Sequence, residues 1–433
     1  MKVTKKDIII ILIIFIYTGI LITYSNADND LIWNYGFSYN LANNLLMYKD
    51  YNMVITPLYP FLASIFLRLF GNNFLAFNLF NTILATSIYF YLYKKYPQTF
   101  IPSVILISFI LRPSYNFLVL LLVLLLLNVK EEHDFLIGFL LGLLFATKQS
   151  FILLVLPSLL LITKPRRLFK RILGFLIPCL FFFIYFLLTN TISEFINYTF
   201  LGLFSFGEKN SFLNIGTVFI IGVLIYLINY YLKTKDTKVL YLIFYQVMAY
   251  PIFNTMHVLL SIIPVIIYFL NVVIKKIHLN ENYLRYMNYF LGVLLICPLI
   301  SIILQFSFKD LVLGDNALKD KYISSTYLTN GDTLEKELPD INNTYFIMYD
   351  AYFYKLLLDK PINSYDLLLN GNIGYKGEER VISYFNSLNA DTYFVLNKDY
   401  EGGQLSKEID NYIRTHYSKV KTIANFVLYK RAK

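Results

Sequence analysis

The chain has 433 residues, of which 57% are hydrophobic and 15% charged, with a formal net charge of +10. So much apolar surface exceeds what a soluble core of this length buries, which excludes an ordinary soluble protein and implies a polytopic membrane protein. The charge is not a nucleic-acid signature either. Residues 1–306 hold 22 Lys and Arg against 11 Asp and Glu, and 307–433 hold 16 against 17, so the excess lies among the apolar segments, where basic residues set orientation.

In chain order, apolar segments are expected at about 7–24, 74–93, 98–111, 114–129, 134–147, 150–163, 171–189, 213–232, 239–250, 257–274 and 287–306. The first is too long for a signal-peptide core and no small-residue cleavage site follows it, so it reads as a retained helix. If the segments alternate, one side collects 17 basic residues, from Lys2, Lys5 and Lys6 to "KPRRLFKR" (164–171), "KTKDTK" (233–238) and Lys275–Lys276, and the other collects five: Lys49, Arg68, Arg112, Lys148 and Lys209. The richer side is then cytoplasmic. About eleven transmembrane segments leave the N-terminus cytoplasmic and residues 307–433 outside the cell membrane. Segments three to six are short, reaching only about 21 Å against a hydrocarbon core of roughly 30 Å. They are either thin or tilted helices or two re-entrant hairpins; both leave "RPSY" (112–115) and "TKQS" (147–150) on the outer side.

The expected organisation is a transmembrane domain over 1–306, with a first outer loop at 25–73, and a small extracytoplasmic α/β domain over 307–433. In the latter, "NTYFIMYD" (343–350), "DTYFVLN" (391–397) and "NFVLYKR" (425–431) read as strands, and 333–338, 378–388 and 405–417 as helices. It has no phosphate-cradling glycine loop and no nucleophile elbow, so the chemistry is expected elsewhere. Cys179 and Cys297 lie inside apolar segments and read as packing residues, and the four histidines lack zinc-type spacing.

The first outer loop opens with "DNDLIWNYGFSYN" (28–40), where two carboxylates flank the chain's one tryptophan. Trp33, Phe37, Leu41 and Leu45 recur every fourth residue, which predicts an amphipathic helix over 31–47 lying in the membrane interface with Trp33 at headgroup depth. A second amphipathic segment is expected at about 56–70. Asp30 falls in the expected N-cap position and Asp28 in solvent, so a purely structural role accounts for both as readily as a chemical one. Asp50, after Lys49, also reads simply as a loop carboxylate.

"DLIWNYGFSYNLANN" together with "YKDYNMVITPLYPFLASIFLRLFGNNFLAFNLFNT" (48–82) resembles the first extracytoplasmic loop of the GT-C superfamily of membrane glycosyltransferases, which includes protein O-mannosyltransferases and lipid A aminoarabinose transferases. The resemblance covers roughly 1–306 and is one of pattern and layout. It implies a polyprenyl-phosphate-linked sugar donor and an acidic residue near the start of the first outer loop, a position that Asp30 matches best. Many relatives carry a second acid immediately after it. Here that position is Leu31, and Asp28 could substitute for it.

Arg112 in "LRPSYN" and Lys148 in "GLLFATKQS" sit at apolar edges on the side poor in basic residues. Snorkelling towards headgroups is the bland account. In the light of the resemblance, they are candidates to hold the donor phosphate, Arg112 bidentately and Lys148 as a point charge. "YPIFNTMH" (250–257) interrupts an apolar stretch with Pro251, Asn254 and His257. Turn chemistry explains it, and a polar wall for the sugar or its phosphate is the functional alternative.

The resulting expectation is an inverting glycosyltransferase at the outer membrane face, its acceptor a cell-surface glycan, a lipid or a protein. Asp30 would be the general base, with Asp28 or Asp50 assisting, and Arg112 and Lys148 would steady the departing phosphate. No cofactor is required by the sequence; relatives differ on metals, which leaves a divalent metal open. Nucleic acid is not an expected partner. The alternatives are a glycan polymerase or ligase, a lipid-linked-sugar transporter or flippase, and a non-catalytic relative, the last suggested by Leu31. A transporter would call for internal repeats and polar groups at midplane, and the candidate polar residues lie at the outer edge.

Overall fold

The structure is a computed structural model that describes residues 4–160, 165–208, 214–250, 253–277, 281–308, 310–360, 365, 368–400 and 405–431. It is mostly helical. In chain order come α1 (Lys5–Tyr24), α2 (Asn29–Ala42), α3 (Leu58–Phe70), α4 (Phe74–Lys95), α5 (Phe100–Ser108), α6 (Tyr115–Leu126), α7 (Asp134–Thr147), α8 (Ile152–Leu160) and α9 (Pro165–Thr189). Then follow α10 (Ile192–Ile196), α11 (Gly202–Glu208), α12 (Ile215–Thr234), α13 (Thr237–Tyr245), α14 (Thr255–Ile277), α15 (Glu281–Val293) and α16 (Ile296–Phe308).

Among the described residues, six stretches are helical, long and apolar enough to cross a membrane: Lys5–Tyr24, Phe74–Lys95, Pro165–Thr189, Ile215–Thr234, Thr255–Ile274 and Tyr286–Ser307. The last of these contains the break between α15 and α16. The other expected segments are shorter apolar helices, including Pro97–Ser108, Tyr115–Leu126, Asp134–Thr147 and Thr237–Ala249.

The chain divides into two compact units, each assembled from separate stretches. The first comprises Met1–Ser25, Asn78–Phe182 and Ser211–Lys309; the second comprises Asn26–Phe77, Phe183–Asn210 and Asp310–Lys433. The expected soluble region at 307–433 thus falls mainly in the second unit, together with most of the first loop.

In the first unit, apolar helices are tied by a few polar contacts where a buried polar group needs a partner. Thr18 and Thr86 share a hydroxyl hydrogen bond of 3.1 Å. Asp7 closes a capping box with Thr4 and also meets Lys94 at 3.0 Å. The crossing of α7 and α9 is closer than side chains would allow. A Cβ on Gly138 would overlap the Arg171 carbonyl oxygen, one on Gly142 would sit 2.5 Å from that of Phe175, and one on Gly174 would overlap that of Phe135. Gly138-Phe-Leu-Leu-Gly142 is a small-xxx-small pattern, which lets membrane helices approach backbone to backbone.

In the second unit the 307–433 region continues with β1 (Leu311–Leu313), β2 (Tyr322–Ser324), α17 (Ser325–Glu337), β3 (Thr344–Ile347), α18 (Ala351–Leu357), α19 (Glu378–Ser387), β4 (Tyr393–Asn397), α20 (Lys407–His416), β5 (Ser418–Ile423) and β6 (Phe426–Lys430). Strands β1 and β2 pair antiparallel, and the larger sheet has the order β3-β4-β6-β5, with only β3 and β4 parallel. Its core packs Phe346, Val395 and Leu428 from the strands against Leu334 of α17 and Tyr354 of α18. The three expected strands are β3, β4 and β6. Strand β5 was not expected: it carries Lys419 and Lys421, is bulged between them and lies at the sheet edge, where charge and bulges discourage pairing with another chain.

Helix α2 corrects the expectation of a surface-lying amphipathic helix. It runs Asn29–Ala42, so Leu45 lies beyond it, and it buries residues all round, including Ile32, Asn34, Tyr35, Phe37, Ser38 and Leu41. The reason is tertiary. Tyr35 stacks within 4.3 Å of Phe74 and donates to the Ala317 carbonyl at 2.7 Å, and Gly36 is so close to α18 that a Cβ would meet Tyr352 at 2.5 Å. Trp33 sits edge-on to Tyr349, with ring centroids 5.4 Å apart. The helix is internal to its unit.

Candidate functional site

The first unit brings the two polar interruptions of its apolar helices together. Lys148 follows the last residue of α7 in an extended conformation and is 8% exposed. Its Nζ donates to the Met248 carbonyl oxygen at 3.2 Å, lies 3.5 Å from the Met248 sulfur, and stands 5.9 Å from the centre of the Tyr115 ring. Among the described residues it pairs with no carboxylate. Burial alone pushes its ammonium down to about 7, because a low-dielectric site disfavours the charged form.

His257 is near enough for its imidazole to feel the charge of Lys148. Asn254 positions it: the Asn254 Oδ1 accepts from the His257 backbone N–H at 3.0 Å and pairs with ring Nδ1 at 2.8 Å. An amide oxygen only accepts, so Nδ1 carries the proton and, in the neutral ring, Nε2 is the acceptor. Pro251, singled out in the same motif, lies outside the described residues. Three side-chain atoms close in sequence to these groups are buried without a partner among the described residues: Asn116 Oδ1, Ser150 Oγ and Gln246 Oε1. Arg112 is exposed, three residues before α6. The sequence missed Tyr115 and Met248. Tyr115 stood inside the quoted "RPSY" motif, whereas nothing local marks Met248, whose contribution is mainly a backbone carbonyl.

The acidic candidates belong to the second unit. Asp28, not Asp30, caps α2: its Oδ1 accepts from the Leu31 N–H at 2.9 Å. The correction follows from where the helix begins, since an N-cap side chain reaches the amide three residues on. Asp30 is in the first turn of α2, where a negative charge suits the helix N-terminus, and is exposed. Asp50 Oδ2 accepts from the Leu46 N–H at 2.7 Å and so closes the 46–50 turn.

A further residue stands beside Asp28. Lys321, just before β2, is fully buried, with Nζ 5.7 Å from the centre of the Phe74 ring. Burial pushes its ammonium down to about 7, and the nearby Asp28 carboxylate acts in the opposite direction. Ala27 donates to the Tyr322 carbonyl at 3.3 Å, tying the entry of α2 to β2. No motif in the sequence singles out Lys321. Among the described residues no three of His, Cys, Asp and Glu come together in a way that could hold a metal ion.

No protein-family model matches the sequence, and no curated protein matches it. Solved structures do match it in three dimensions, and two of them are of ArnT from Cupriavidus metallidurans, one bound to undecaprenyl phosphate and one in the apo state. The first aligns at a TM-score of 0.52 with 11% identity, and the second at 0.54 with 10%. Each alignment covers 98% of this chain and 97% of ArnT. With the apolar helices already described, that likeness over nearly the whole length makes this chain a polytopic helical membrane protein of the GT-C fold.

Proposed function

We propose that the chain is a glycosyltransferase that moves a sugar from a polyprenyl-phosphate donor to an acceptor at the outer membrane face. The observation that carries this is Lys148: a buried cation whose neighbours are a carbonyl, a thioether and an aromatic ring. A buried charge is costly unless it is completed by an opposite one. A lipid phosphate supplies that charge, and the ArnT structure bound to undecaprenyl phosphate supports the same class of ligand for this fold. Tyr115 and His257 would border the phosphate, and Arg112 would meet it from the solvent side.

In this reading the reaction is an inverting displacement. The acceptor hydroxyl attacks the anomeric carbon as the bond from that carbon to the phosphate oxygen breaks. Asp30 takes the hydroxyl proton, and Lys148 stabilises the charge gathering on the departing phosphate. Asp30 is assigned the base because it is the exposed one of the three carboxylates and stands in the first turn of α2. The N-terminus would be cytoplasmic and 307–433 outside, with a cell-surface glycan, a lipid or a protein as acceptor.

The test is turnover by the purified, full-length protein, supplied with a fluorescent polyprenyl-phosphate sugar and an acceptor extract. Lys148-dependent release of polyprenyl phosphate with sugar appearing on an acceptor supports the reading. Surface glycans identical by mass spectrometry with and without the gene, together with no donor turnover, would overturn it.

A further inference from the structure

At the other end of α6 and α7 from Lys148 the first unit contains a cavity of about 340 Å³, within the range of small-ligand pockets. It lies where α6 ends and where α7, α9 and α13 begin. Four cations border it, Lys130, Arg167, Arg171 and Lys238, with the carboxylates of Glu131 and Asp236.

The acids near the cavity are already engaged. Asp134 takes both arginines, Arg167 Nε at 2.7 Å and an Arg171 terminal nitrogen at 2.6 Å. Two guanidinium groups on one carboxylate leave a positive charge uncancelled. Glu131 accepts from the Thr237 hydroxyl and Asp236 from the Tyr268 hydroxyl, each at 2.5 Å; hydroxyl donors cancel no charge, so Asp134, Glu131 and Asp236 offset three of the four cations and leave one positive charge over. The Lys238 ammonium makes no ion pair among the described residues, and Lys130 has only a 3.6 Å approach to the exposed Glu132. Arg171 is 5% exposed, is further fixed by the Ser158 carbonyl at 2.7 Å, and has an Nε–H without an acceptor. The result is a pair of arginines held by Asp134, with exposed lysines at the rim and apolar residues, such as Leu126 and Leu240, beside them.

We propose that this cavity binds a phosphate group, carried by a membrane lipid or free in solution. Fixed guanidinium groups with rim lysines match a compact, multiply charged oxyanion, and basic pockets between membrane helices take lipid headgroups. The site is separate from the Lys148 cluster and does not rest on the glycosyltransferase reading.

The experiment uses the full-length protein in neutral detergent and measures saturable binding of three probes: inorganic phosphate, dioctanoyl phosphatidic acid and dioctanoyl phosphatidylcholine. Phosphatidic acid should bind, phosphatidylcholine should not, and Lys130→Gln combined with Lys238→Gln should weaken phosphatidic acid binding about tenfold or more. Both substituted lysines are exposed, so the variant keeps the Asp134 network; a melting temperature equal to the wild type verifies this. Inorganic phosphate binding as tightly as the lipid identifies a free-phosphate site, and binding of the lipid alone identifies a headgroup site. The proposal is overturned if neither phosphate probe binds saturably, if phosphatidylcholine binds as well as phosphatidic acid, or if the double variant binds like the wild type.

Discussion

Two of the buried lysines of this protein, one in each unit, are alike in burial and unlike in company. Lys148 is 8% exposed and Lys321 is 0% exposed, and burial pushes both ammonium groups down to about 7. Lys321 has a carboxylate acting on it, that of Asp28, which also caps α2. Among the described residues no carboxylate pairs with Lys148; its neighbours are the Met248 carbonyl and sulfur and the Tyr115 ring, and a protonated His257 would add positive charge. A lysine buried beside an acid is explained within the fold. For Lys148, the proposed function supplies the missing charge from the donor phosphate.

The comparison breaks most visibly under paired substitution. Lys148→Met should cut donor turnover by roughly 10²–10³-fold, the usual loss when one stabilising donor is removed from a reacting charge. Lys321→Met should leave turnover within about threefold of wild type. Steady-state kinetics on both variants, with size-exclusion profiles to verify folding, decide the matter; equal losses would erase the distinction drawn here.

Asp30→Asn sharpens the acidic side of the comparison. It removes a base without touching the cap, so turnover should fall by about 10²-fold. Asp28→Asn keeps a capping oxygen and should lower turnover far less. The reverse ranking in the same assay would transfer the role of base to Asp28.

The dependence on pH separates the lysines again, with a smaller effect. Binding a phosphodiester calls for a protonated Lys148. With its ammonium near 7 in the free protein, the amine is increasingly neutral above that pH, and donor affinity weakens as pH rises. The donor KM should increase about fivefold from pH 7 to pH 8 and about tenfold for each further unit. In Lys148→Met that slope should vanish, and in Lys321→Met it should persist. The smallest effect is structural: Asp28→Ala should lower stability by about 0.5–2 kcal/mol through loss of the cap, seen as a lower melting temperature, while Asp28→Asn should not.

Much of this architecture was legible in the sequence because it rests on local signals. Apolar runs marked the membrane helices, and alternating aromatic and β-branched residues marked β3, β4 and β6. Lys148, Asn254 and His257 stood out because each breaks an apolar stretch, and the fold brings them together. What failed was decided by tertiary contacts. Trp33, Phe37 and Leu41 gave α2 an apolar stripe, but Asn34, Ser38 and Asn40 on its other faces are buried too, which no periodicity reveals. The helix begins two residues earlier than its pattern suggested, at Asn29, and that moved the cap from Asp30 to Asp28. Strand β5 was hidden by its lysines, which an edge tolerates and a central strand would not. Lys321 has no local mark at all, because its interest lies in Asp28 and Phe74, both more than two hundred residues away in sequence.

The glycine crossing of α7 and α9 has a kinematic consequence. Packed helices slide past one another when interlocked side chains change rotamer; at Gly138 and Gly174 backbone meets backbone, and at Gly142 the Phe175 carbonyl and the Pro178 ring close in. The two helices therefore travel as one strut. Lys148 stands immediately beyond the end of that strut, so on the proposed function donor binding there would not be accommodated by turning or translating α7 alone. On that reading the turn at 148–151 and the start of α14 are the segments at which to look for motion.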